Sequence, residues 1–165
     1  MIIKWRKEII QIIVGIIIYV LLGNARSIQS NPFIPGAIIA VNMIIPVIFG
    51  ILFGRGQGLM VGLLGTFFNA MSPARNAFEL LAILPHGVMG FTAGFFRKKW
   101  PTPVLASTLL IGHVLNLFMF TIFGLLPSSV FSSASFYYGL LYETFTGIIA
   151  VIIITALFNL ATQKT

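Results

Sequence analysis

The sequence predicts an all-α membrane protein, a bundle of six transmembrane helices with both termini in the cytoplasm. Three observations point there. Of the 165 residues, 58% are hydrophobic and only 8% charged, with a mean hydropathy of +1.04, whereas a soluble domain carries roughly 25% charge. The apolar residues fall into runs close to the roughly 20 residues that cross a bilayer. Ten basic residues against three acidic ones give a net charge of +7, and the basic ones sit at the ends of the apolar runs. The charge therefore reads as membrane topology and not as nucleic-acid binding. Six spans with short loops use up the chain, so residues 1–165 are expected to form a single integral membrane domain with no ATPase or Rossmann unit. With no cysteine, disulfides, thiolate metal sites and cysteine nucleophiles are excluded.

The first span is expected over about 9–23, from Ile9 to Gly23, after the basic cluster Lys4, Arg6 and Lys7. Such a charged start resembles a secretory signal peptide, but no small-residue cleavage site followed by a polar segment comes after it. The second span is expected over 35–53 and the third over 58–70, joined by the tight turn Gly54-Arg55-Gly56-Gln57-Gly58, because glycine clusters punctuate helices. The fourth, 77–96, stops at Arg97-Lys98-Lys99-Trp100-Pro101. The fifth covers 104–125, a serine-rich loop follows from Pro127 to Ser135, and the sixth covers 136–160. Lys4, Arg6, Lys7, Arg55, Arg97, Lys98, Lys99 and Lys164 then lie on the side of the termini, against Arg26 and Arg75 on the other. Positive residues are retained in the cytoplasm, so the termini are expected on the cytoplasmic side of the cell membrane.

Ionisable residues within a span cost about 2.5–3.5 kcal/mol on the insertion scale and usually face the bundle interior or a water-filled cavity. Glu79 opens the fourth span, with His86 seven residues on and on the same face. His113 and Asn116 share a face of the fifth span, and Asn69 ends the third. Glu143 lies about seven residues into the sixth, ~10 Å below the outer surface. With Arg75 and Asn76 in the second outer loop and Tyr137, Tyr138 and Tyr142 beside Glu143, these residues fit one outward-facing pocket. Plainer roles fit some of them equally. His113 suits an inter-helix hydrogen bond, His86 follows Pro85, Arg26 and Arg75 suit solvated loops, and Tyr137 and Tyr138 suit an interfacial aromatic belt. Glu143 has the fewest plain explanations.

No HExxH, no GxSxG and no aspartate occurs in the chain, so the motifs of metal-dependent and serine hydrolases are missing and no catalysis or metal site is expected. Glycines at Gly50, Gly54, Gly58, Gly62, Gly65, Gly90 and Gly94 let helices approach closely.

The run from Pro35 to Gly54, with its Pro46, Phe49-Gly50 and Leu52-Phe53-Gly54, and the glycine-rich run from Gly58 to Asn69 resemble the second and third helices of S components of energy-coupling factor (ECF) transporters, especially the riboflavin-type group. Size, span number and inside termini are similar too. The resemblance implies a substrate-binding subunit that captures a vitamin or related micronutrient at the outer ends of helices four to six. It also implies a transmembrane coupling subunit and two ATPase subunits as partners. No cofactor belongs to this chain, ATP being used by those partners. A planar micronutrient would then stack on Tyr137, Tyr138 or Tyr142 and hydrogen-bond Asn69, Asn116 and Glu143, with Glu79 or Arg75 selecting its charge. The chain departs from the family where an alanine-x-x-x-alanine patch is common on helix one, having Gly15 and Tyr19 in the nearest frame. No histidine precedes His86, which disfavours a nickel or cobalt substrate, and no outer tryptophan offers an indole for stacking. Two other classes fit the composition. One is an accessory subunit of a larger complex without a solute. The other is a proton-coupled carrier using Glu79, His86, His113 and Glu143 as a relay.

Overall fold

The computed structural model describes residues 2–25, 31–33, 39–73 and 77–163, and among them every regular element is a helix. Four helical stretches are long and apolar enough to cross a membrane: Trp5–Asn24, Ala77–Phe96, Thr102–Ile122 and Ala134–Thr162. A shorter apolar stretch covers Val41–Phe53.

Helix α1 runs over Ile2–Asn24 and so starts before the expected Ile9. Lys4, Arg6, Lys7 and Glu8 are good helix formers, so the backbone stays helical where hydropathy has already fallen. The second expected span is cut short. A 3₁₀ turn over Val41–Met43 leads into α2, Ile44–Phe53, and Ala40 before it has the non-helical angles φ −79° and ψ 68°. Pro46 thereby falls in the first turn of α2, where a missing N–H has no intrahelical partner to lose. A helix from residue 35 would have put that ring in its middle. Gly54, at φ +123°, turns the chain into α3, Arg55–Met71, and its N–H donates to the carbonyls of Phe49 and Gly50. That backbone region strains any residue with a side chain.

Helix α4 covers Ala77–Phe96, as expected, with Pro85 inside it. Helices α3 and α4 meet backbone to backbone. A Cβ added at Gly58 would strike the Gly90 carbonyl, one at Gly90 would strike that of Gly58, and one at Gly62 would strike that of His86. Small residues thus bring the two axes as close as helices can come.

The fifth expected span is two helices, α5 over Thr102–Ala106 and α6 over Thr108–Ile122. At the break, Ser107 Oγ donates to the Pro103 carbonyl at 3.0 Å and Thr108 Oγ1 to that of Leu105 at 2.7 Å. Hydroxyls that bond the preceding turn compete with the helix ladder. Helix α6 ends before the expected Leu125 because Gly124, at φ +70°, closes it. The Leu125 N–H donates to Phe120 at 2.8 Å and the Gly124 N–H to Thr121 at 3.1 Å, the paired bonds of a Schellman cap. After a 3₁₀ turn over Ser128–Ser132, α7 runs over Ala134–Thr162. Its 29 residues are about 43 Å long, more than the ~30 Å hydrocarbon layer.

Tyr19, Val47, Val61, Met89, Ala93, Leu109 and Val151 form the core. Ile9, Ile13, Ile17 and Leu21 of α1 and Phe145, Ile149, Ile153 and Leu157 of α7 are exposed, which suits lipid and not water. The basic end is tied together: Arg97 Nη1 donates to the Leu52 carbonyl at 3.2 Å, Arg55 lies over Phe95, and Trp100 stacks on Phe96 at 3.9 Å. At the opposite end Asn24 Nδ2 donates to Asn69 Oδ1 and Ser72 Oγ, pinning the end of α1 to that of α3.

Candidate functional site

Two polar groupings lie inside the bundle. The first is centred on His86, 3% exposed on α4. Its Nδ1 lies 2.6 Å from Tyr19 Oη on α1 and 3.0 Å from Thr66 Oγ1 on α3. Thr66 Oγ1 also bonds Tyr19 Oη at 2.9 Å and donates to the Gly62 carbonyl at 2.6 Å. Across the ring, Asn116 Nδ2 on α6 lies 3.3 Å from Nε2. One side chain thus joins four helices, and both of its nitrogens are occupied within the protein. Such inter-helix bonds hold membrane bundles together where hydrophobic driving force is missing.

The second grouping lines a cavity of about 220 Å³ between the residues leading into α2, the middle of α6 and the first half of α7. Ile39, Met43, Ile44 and Leu109 give it apolar walls, and His113, Tyr142, Glu143 and Thr146 bring the polar atoms. The Ala40 N–H donates to Glu143 Oε1 at 2.7 Å. The non-helical turn at Ala40 is what frees that N–H, so the late start of α2 and the placing of the carboxylate are one feature. Because α7 begins at Ala134, Glu143 lies nine residues along it, ~13.5 Å from its start. His113 is 6% exposed and makes no hydrogen bond with any described residue. Against α7, Asn31 Nδ2 donates to the Gly139 carbonyl at 3.2 Å, and Phe33 packs edge-on against Tyr142 with centroids 5.7 Å apart.

Of the residues expected to share one pocket, the structure brings His113, Tyr142 and Glu143 together. It divides the others. His86 and Asn116 belong to the α1–α3–α4–α6 network. Asn69 is fully buried against Asn24, and Glu79 stands in the first turn of α4, where a helix N-terminus favours negative charge. Tyr137 donates its hydroxyl to the Phe131 carbonyl, while Tyr138 is exposed and packs on Phe33; neither lines the cavity. Arg75 and Asn76 lie outside the described residues, as do Arg26, Lys164 and the Pro35 end of the second expected span. No hydrogen bond joins His86 to His113, or His113 to Glu143, among the described residues. No three His, Cys, Asp or Glu side chains gather among the described residues.

Tyr19, Thr66 and the Ala40 N–H are the partners that sequence reasoning missed. Tyr19 had one signal, being the single tyrosine in an isoleucine-rich helix. Thr66 had none, since a helical threonine ordinarily satisfies itself on the carbonyl four residues back. No protein-family model and no solved structure matches the chain.

Proposed function

We propose that the chain is a membrane-embedded substrate-binding subunit of an ECF-type importer, with six spans and both termini in the cytoplasm. The observation that carries this reading is the cavity beside α7. It is apolar in wall and holds a carboxylate and an imidazole that makes no hydrogen bond with a described residue. Pockets that orient small molecules have this composition, mostly apolar with a few placed polar groups. Ionisable side chains inside apolar helices, here Glu143 and His113, are also candidates for a functional site by default. The solute is a vitamin or related micronutrient, and ATP is used by partner subunits: a transmembrane coupling protein and two ATPases. This rests on the resemblance of the Pro35–Gly54 and Gly58–Asn69 runs to the S components. The chain itself carries no catalysis in this reading.

The test is substrate capture. The purified chain in detergent, titrated with a vitamin panel and followed by melting temperature, is expected to be stabilised by one compound. Reconstituted uptake of that compound is expected to need ATP and an added coupling module. Uptake driven by a pH gradient without ATP would replace this reading with a carrier.

A further inference from the structure

The charge balance of the cavity has a consequence for its ligand. Among the described residues neither lysine nor arginine lines it. Glu143 makes no ion pair with a described residue, and one of its oxygens accepts the single N–H of Ala40. A carboxylate has about four lone-pair sites, so most of its accepting capacity faces the cavity. His113 adds a neutral imidazole with one donor and one acceptor. An anionic solute would meet a carboxylate here and no cation among the described residues. A positively charged solute would supply the missing countercharge at a depth where an unpaired charge is costly.

Size narrows the class further. An apolar cavity of about 150 Å³ holds benzene, so 220 Å³ accommodates one ring with a short substituent and falls below the ~300 Å³ at which pockets for drug-sized ligands begin. We propose that the cavity takes a small monocation, a single ring bearing a protonated amine or an equivalent cationic nitrogen, with Glu143 as counter-ion and His113 as its second hydrogen-bond partner. Tyr142 flanks the ring. The proposal deepens the solute-binding reading and rests on it.

The test uses three probes of one shape and different charge, benzylammonium, benzyl alcohol and benzoate, titrated calorimetrically into the purified full chain in detergent. Benzylammonium is expected to bind at least about tenfold more tightly than benzyl alcohol, the difference between a charge-assisted and a neutral hydrogen bond, and benzoate not at all. Glu143→Gln keeps an oxygen for the Ala40 N–H and is expected to bring amine and alcohol to equal affinity. Ala150→Leu, which fills the cavity, is expected to abolish binding of both. Equal or tighter binding of the alcohol or of benzoate overturns the cation assignment, as does a charge preference that survives Glu143→Gln or binding that survives Ala150→Leu. A neutral or anionic solute that co-purifies stoichiometrically overturns the cation assignment and leaves the solute-binding reading standing. No binding by any probe, with no co-purifying solute, removes both.

Discussion

Two residues of similar chemistry have opposite roles because of what surrounds them. His86 has both ring nitrogens engaged by protein atoms, whereas His113 has neither engaged among the described residues. Replacing His86 by alanine would leave Tyr19, Thr66 and Asn116 without their shared partner, at about 1–3 kcal/mol for each buried group left unmade. A clear fall in melting temperature is the expected outcome of His86→Ala, measured in detergent without solute. Glu143→Gln is expected to do the reverse, leaving the solute-free melting temperature unchanged while weakening solute binding by about tenfold or more. Glu143 and His113 were legible in the sequence because an ionisable side chain inside an apolar run must face something other than lipid. Tyr19 and Thr66 were not, since neither carries a charge and the pairing that gives them meaning crosses from α1 to α3 and α4.

At the scale of elements, hydropathy located the apolar segments, and backbone chemistry set where their helices begin and end. Only α4 kept its expected bounds. Pro46 confined α2 to ten residues, Ser107 and Thr108 divided the fifth segment, and Gly124 closed α6. Each is a local hydrogen-bonding or φ requirement to which a hydropathy window is blind. The glycine pattern was legible as close packing, but which glycines meet was not. Gly58 faces the Gly90 carbonyl, while a Cβ at Gly56 has nothing within 4 Å. Gly58→Val is therefore expected to destabilise the chain by about 1–3 kcal/mol or more through overpacking, and Gly56→Val to leave the α3–α4 contact intact. Unfolding both variants in a denaturant series separates them. Gly54→Ala is expected to cost about 1 kcal/mol or more, because its φ of +123° suits glycine alone.

For the whole molecule, the all-helical, membrane-compatible architecture was legible from composition alone, because 8% charge cannot cover a soluble surface. The proposed orientation rests on the basic end that gathers Arg55, Arg97, Lys98 and Lys99, since positive residues are retained in the cytoplasm. The chain contains no cysteine, so single cysteines report on it cleanly. Gly56→Cys is expected to react with an impermeant maleimide only after cells are opened, and Ser129→Cys in intact cells; the opposite pattern would invert the topology. The most direct test of the central claim, that the cavity beside α7 holds a solute, is native mass spectrometry of the detergent-purified chain and of its Glu143→Gln variant. The account expects one small molecule per chain, released on activation and missing from the variant. A chain that carries phospholipid alone, or a small molecule retained equally by the Gln variant, would contradict it.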